Sequence, residues 1–223
     1  IDPKIGEDRD ENLAAYPRTE SEIQRHIADY YAMISHIDEN VGRILDALER
    51  SGQLDNTIVV YTGDNGLAVG RHGLMGKHSI RVPLILRGPG IPKGERRDAY
   101  VYLMDIYPTL CELCGLSVPA SVEGKSFKEA ITGGEPARRT MYFAYTHLIR
   151  AVKDERFKLI RYKLEPDKTQ LFDLYKDPDE TINLYDDPRY RAVRDTLEEL
   201  LLKERDRWED NPDNRFTRMF WEE

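Results

Sequence analysis

Asp64 and Asn65, set between Gly63 and Gly66, carry the most legible chemistry in this chain. They follow the run Thr57-Ile58-Val59-Val60-Tyr61, the pattern of a buried strand that ends in a tight turn. Open α/β sheets gather their ligands at the carboxyl ends of strands. On a continuing strand, neighbouring side chains point to opposite faces, so two adjacent residues could not share an ion. Glycines on both sides permit the backbone reversal that would bring both oxygens to one point. A carboxylate beside an amide carbonyl suits a hard cation, Ca2+ or Mg2+, whereas His or Cys would suit zinc. The plainer alternative is an ordinary type I′-like turn, in which Asp and Asn serve only for their backbone conformations.

The residues beyond the turn bear on that choice. His72-Gly73 and Gly76-Lys77 come next, followed by Arg81-Val82-Pro83-Leu84-Ile85-Leu86-Arg87-Gly88-Pro89-Gly90. In this ordered series the chain resembles the sulfatase family. That family has a strand ending in Asp-Asn-Gly or Asp-His-Gly, then a His-Gly, a Gly-Lys or Ala-Lys, and an Arg-Val-Pro strand closing in Gly-Pro-Gly. The resemblance extends through Tyr30-Tyr31-Ala32, Asp38 and Val41-Gly42 upstream. Downstream it takes in Asp105 to Leu110, Leu171-Phe172-Asp173-Leu174, Asp177 to Glu180 and Asn183-Leu184, so that it covers most of residues 25 to 205.

The resemblance implies a sulfuric ester hydrolase. Asp64 and Asn65 would hold Ca2+, with Mg2+ as the alternative. Lys77 would be the catalytic cation on the sulfate, and His72 and His147 would join Lys77 as substrate-binding residues. His147 is placed there as a loop residue, because loops carry function more often than strands do. The substrate implied is a small-molecule or saccharide sulfate ester. Sulfatases make a formylglycine nucleophile from a Cys/Ser-x-Pro-x-Arg motif, which this chain lacks. The chain is therefore expected to be a carboxyl-terminal half whose partner is the amino-terminal half of its own protein. The family also carries several more residues between Lys77 and His78, and a shortened loop there would limit the reach of Lys77. A phosphonate or phosphate ester hydrolase of the same superfold, and a non-catalytic binding protein that keeps the fold, remain alternatives.

The chain has 223 residues, 40% hydrophobic and 33% charged. A net charge of −8 argues against a nucleic-acid partner. No apolar run approaches the ~18 residues of a membrane helix, so no membrane partner is expected. A homo-oligomer and the cellular compartment stay open. Cys111 and Cys114 are the only cysteines, three apart on a short helix, and read as buried small apolar residues.

The elements that must position these groups follow from periodicity. Thr19-Glu20-Ser21-Glu22 has the form of a capping box. From there Ile23, Ile27, Tyr30, Ile34, Ile37, Val41, Ile44 and Leu48 recur at helical spacing, which predicts one long amphipathic helix to about Arg50, ended by Ser51-Gly52. Buried strands are expected at 57–62 and 82–87, and Asp105 as the N-cap of a helix whose first turn contains Pro108. A short helix is expected at 127–131. Strand-like runs at 141–145, 149–153, 157–162 and 170–174 precede a closing helix at 189–208. The aromatic tail, with Phe216, Met219, Phe220 and Trp221, is expected to cover another surface, in the absent half or another subunit. The fold class is therefore α/β: part of a large mixed sheet flanked by helices, plus a small carboxyl-terminal antiparallel sheet packed with a helix. Residues 1–118 would be the carboxyl-terminal part of the sulfatase α/β domain, and 119–223 a carboxyl-terminal α+β subdomain.

Overall fold

The computed structural model describes residues 19–65, 80–163 and 168–221. These fall into two compact units, one ending at Ile91 and the other beginning at Pro92. Residues 92–118 thus pack with the second unit, ahead of the 118/119 division drawn from the sequence.

The first unit opens with helix α1, Glu20–Arg50. Its capping box forms as the sequence predicts. The Thr19 hydroxyl accepts the Glu22 N–H, and the Glu22 carboxylate accepts the Thr19 N–H at 2.9 Å. The helix ends at Ser51, whose N–H donates to the Ala47 carbonyl, and Gly52 follows with φ 68°. Strands β1 (Val59–Thr62) and β2 (Leu84–Arg87) pair antiparallel, with Val59 opposite Arg87 and Thr62 opposite Leu84. A side chain at Gly88 would meet the Ile58 Cα at 2.9 Å, so glycine is required where the chain leaves β2. The expected burial of these strands is not seen. Tyr61, Thr62 and Ile85 are exposed, and no residue of α1 is buried. Among the described residues the sheet of this unit consists of these two strands alone. Among those residues, too, no helix is long and apolar enough to cross a membrane.

The second unit has a core of its own. A 3-10 turn, Leu103–Asp105, leads into α2 (Ile106–Leu113), and α3 (Lys128–Ile131) follows. Then comes a meander of β3 (Met141–Tyr145), β4 (Ile149–Lys153), β5 (Phe157–Tyr162) and β6 (Lys168–Asp173), hydrogen-bonded in chain order. Helices α4 (Arg191–Arg207) and α5 (Arg218–Trp221) close the chain. One row of side chains crosses all four strands, because Tyr142 lies opposite Val152, Val152 opposite Leu159, and Leu159 opposite Leu171. Leu197 and Leu201 of α4 pack onto that row, and the aliphatic members are fully buried. Each such aliphatic burial is worth about 1.5–3 kcal/mol.

One expectation is met in position only, and two are corrected. Asp105 stands at the N-cap of α2 but makes no capping bond to that helix. Its buried carboxylate instead takes a bidentate pair from Arg138, at 2.7 and 3.0 Å, and the N–H groups of Tyr102 and Lys125. A charge removed from water needs a full set of partners, and a guanidinium fork satisfies more of it than a cap would. Cys111 is buried, but Cys114, at the C-cap of α2, is exposed because the helix ends there. In the tail, Phe220 is buried and Trp221 packs on the core of its own unit, while Phe216 and Met219 remain exposed.

Two further ion pairs brace the sheet. The buried Lys158 ammonium lies 3.0 and 3.1 Å from the two carboxylate oxygens of Glu180. Burial pulls the lysine below its ordinary pKa, against the pull of Glu180. Arg156 forks onto the buried Asp173 at 2.7 to 3.2 Å and, with two backbone N–H groups, holds that carboxyl below its usual pKa.

Both tryptophans lie in this unit, so their fluorescence reports its unfolding. Lys158→Met strands the Glu180 carboxylate and should cost about 3–5 kcal/mol, most of which Lys158→Met with Glu180→Gln should recover. A single variant no worse than the double in denaturant titrations would show that the pair is not coupled. The Arg156–Asp173 pair has a pH signature. A depressed carboxylate stabilises fully above the ordinary Asp pKa of about 3.9, and its contribution is lost as pH falls through the lower folded value. Arg156→Gln should therefore be less stable than the parent near neutral pH, with the gap closing in acid as Asp173 protonates in both. A gap that stays constant with pH would mean that lost packing, not charge, is responsible.

Candidate metal and substrate site

Strand β1 delivers Asp64 and Asn65 to a turn immediately past its carboxyl end. The Thr62 hydroxyl anchors the end of the strand by donating to the Pro83 carbonyl at 2.8 Å. Three residues after Thr62, Asn65 takes φ 58°. Asparagine is among the few non-glycine residues that enter this left-handed region readily. The reversal removes the strand alternation that would send the two side chains to opposite faces. Both residues are exposed, so their oxygens are open to a ligand.

The donor chemistry fits a hard cation: one carboxylate and one amide oxygen, adjacent in the chain. The set is incomplete. Ca2+ takes six to eight oxygens. Among the described residues no group of three or more His, Cys, Asp and Glu side chains comes together. The turn can therefore supply part of a metal shell and no more.

The remaining predicted site residues divide in two. His72 and Lys77, together with the Lys77–His78 junction, lie outside the described residues. His147 belongs to the second unit, exposed on the turn between β3 and β4. Here the Leu148 N–H donates to the Tyr145 carbonyl at 3.2 Å, the Lys163 N–H donates to the Leu148 carbonyl at 2.8 Å, and Thr146 takes φ 47°. Arg150, buried in β4, donates to the Thr146 carbonyl at 2.8 Å and forks onto Asp210 at 2.5 and 3.0 Å. The Tyr142 hydroxyl donates to the same carboxylate, and burial, followed by the bond to Asp210, pushes that phenol's pKa upward. Reading the sequence alone misses this cluster. The available signal is the arginine inside the otherwise apolar start of β4, Ile149-Arg150-Ala151-Val152.

The chain also resembles known proteins along most of its length. The family model described as Sulfatase matches residues 5–116, and that described as N-sulphoglucosamine sulphohydrolase, C-terminal, matches residues 70–207. An N-acetylglucosamine-6-O-sulfatase of Bacteroides thetaiotaomicron is 32% identical over 97% of this chain and 42% of its own length. A solved structure of BT4656 in complex with its substrate, D-glucosamine-2-N,6-O-disulfate, superposes with a TM-score of 0.81 at 30% identity, over 96% of this chain and 47% of that one. The phosphonate monoester hydrolase of Agrobacterium radiobacter superposes with a TM-score of 0.75 at 29% identity, over 87% of this chain and 44% of that one. The chain thus spans less than half the length of these relatives. The two family models between them cover residues 5–207, and the chain, with its turn at the end of β1 and its four-stranded sheet under α4, belongs to the sulfatase family.

Proposed function

We propose that the protein containing this chain is a sulfuric ester hydrolase that removes sulfate from an organic sulfate ester, with a sulfated sugar as the substrate class. The Asp64–Asn65 turn at the end of β1, in a chain of the sulfatase family, carries this reading. The named N-acetylglucosamine-6-O-sulfatase relative and the disulfated glucosamine in the BT4656 complex support a sugar.

In this reading Asp64 and Asn65 are two of the oxygen ligands of Ca2+, or of Mg2+. A formylglycine contributed from outside these 223 residues would supply the nucleophile, and the bound cation a Lewis acid for the sulfate oxygens. What this chain adds is placement and charge. Lys77 neutralises the oxygen charge that grows as the sulfur–oxygen bond breaks. His72 and His147 contact the sulfate and the organic portion of the ester, respectively. A fixed cation serves better here than solvent does, because it needs no reorganisation as charge develops.

A second reading, hydrolysis of phosphonate or phosphate esters, is favoured by the phosphonate monoester hydrolase neighbour. Asn65 speaks for the sulfatase, since phosphonate and phosphate ester hydrolases of this superfold usually carry His after the Asp and often bind two metals. Parallel assays of the full-length protein on 4-nitrophenyl sulfate and 4-nitrophenyl phenylphosphonate separate the two. Faster turnover of the phosphonate would overturn the sulfatase reading.

Two substitutions test the assigned roles. Asp64→Ala in the full-length protein should lower both bound Ca2+ or Mg2+, measured by elemental analysis, and sulfate release. Unchanged metal content would remove Asp64 from the shell. Lys77→Ala should keep its Tm and bound metal while kcat/KM falls roughly a hundredfold to a thousandfold, the usual cost of one lost partner to developing oxyanion charge. Lys77→Arg should recover little, because a planar fork does not replace a compact ammonium. Near-normal turnover of Lys77→Ala would return the residue to the role of a solvated loop charge.

A further inference from the structure

Arg150 is 1% exposed in a strand of a four-stranded sheet, and its guanidinium touches three separate pieces of chain. Nε and Nη2 fork onto Asp210, just past the end of α4, at 2.5 and 3.0 Å. Nη1 donates to the carbonyls of Thr146 and Ile149 at 2.8 and 2.9 Å. The guanidinium also lies 4.6 Å from the ring centroid of Phe220 in α5. Tyr142, on the neighbouring strand, donates its hydroxyl to the same Asp210 carboxylate.

The bonds to Asp210 have a sufficient structural reason, since a buried arginine needs a counter-charge. The bond to Thr146 satisfies a further N–H of the buried guanidinium, in a part-buried position, and it also reaches into a turn. The carbonyl belongs to a residue at φ 47°, a conformation unfavourable for threonine, and the next residue is the exposed His147. A donor fixed by Asp210 and Phe220 therefore holds the turn in a shape that its own sequence disfavours.

We infer that Arg150 is a positioning residue for substrate selection. It couples the carboxyl-terminal segment from Asp210 to Phe220 to the β3–β4 turn, and so fixes where His147 meets the organic part of the ester. The inference rests on the proposed contact between His147 and substrate. Asp210, Tyr142 and Phe220 act one step further back, by keeping the guanidinium in place.

Arg150→Lys in the full-length enzyme tests it. An ammonium can still pair with Asp210 but cannot also span to the Thr146 carbonyl. The first readout is hydrogen exchange at the Leu148 amide, whose bond closes the turn, and at the Lys163 amide, which ties Leu148 to the end of β5. The second is turnover of N-acetylglucosamine 6-sulfate against 4-nitrophenyl sulfate, which has no sugar to select. Expected are faster exchange at both amides and a KM for the sugar sulfate raised about tenfold at unchanged kcat, with no change on the aryl ester and no further loss in a His147→Ala background. Unchanged exchange overturns the inference, as does an equal loss on both substrates or a loss that adds in full to that of His147→Ala. If His147→Ala alone leaves selectivity intact, the substrate contact is what fails, and amide exchange then decides whether Arg150 holds the turn. Should Arg150→Lys not fold, Tyr142→Phe keeps the ring in the core and removes one partner of Asp210. It should loosen the same two amides, and silence there overturns the inference.

Discussion

The row Tyr142, Val152, Leu159 and Leu171, clamped beneath Leu197 and Leu201, is the constraint on which the second unit depends. Side chains on a strand alternate between faces, so a slip of one residue in any pairing would turn that strand's member of the row away from α4. The same register decides where the charges fall. It puts Arg150 on the face of Val152, toward Asp210 beyond the end of α4, and Lys158 on the opposite face, where Glu180 meets it. Apolar burial selects the register, and the buried ion pairs exist only because that register brings their partners together.

Those ion pairs say little about net stability, because desolvation takes back much of what pairing supplies. Their effect is geometric. Asp105 ties Tyr102, Lys125 and Arg138 to one carboxylate, and Asp173 ties Arg156 to the N–H groups of Tyr175 and Lys176. Each tether fixes a loop that has too few apolar residues to fix itself. The β3–β4 turn is the case where such a tether reaches a residue with a proposed chemical role.

The first unit stands differently. Among its described residues, a helix of 31 residues with no buried side chain and a two-stranded sheet form no buried core. Capping and propensity support such a helix, but most helical stability in proteins comes from packing of the apolar side, and an isolated two-stranded sheet is marginal. The Asp64–Asn65 turn takes its local shape from the Thr62–Pro83 bond and from the left-handed backbone of Asn65.

Local signals in the sequence determined much of this protein. Thr19 and Glu22 announced the start of α1, Ser51-Gly52 its end, and the runs 141–145, 149–153 and 157–162 became strands with those bounds, because capping, turn chemistry and side-chain alternation act over a few residues. The bend at Asp64 and Asn65 was legible for the same reason: a flanking glycine and an asparagine that takes φ 58° act locally. What the tertiary structure alone decided was which distant groups meet. Asp105 looked like a helix cap and became the partner of Arg138; the aromatic tail looked like a surface for something else and put Phe220 under Arg150. Nothing near Arg150 in the sequence names Asp210, since the two lie 60 residues apart and are joined only when the sheet register and the end of α4 are both in place. A buried charge takes its partner from whatever the packing brings within reach, and packing is a property of the whole fold.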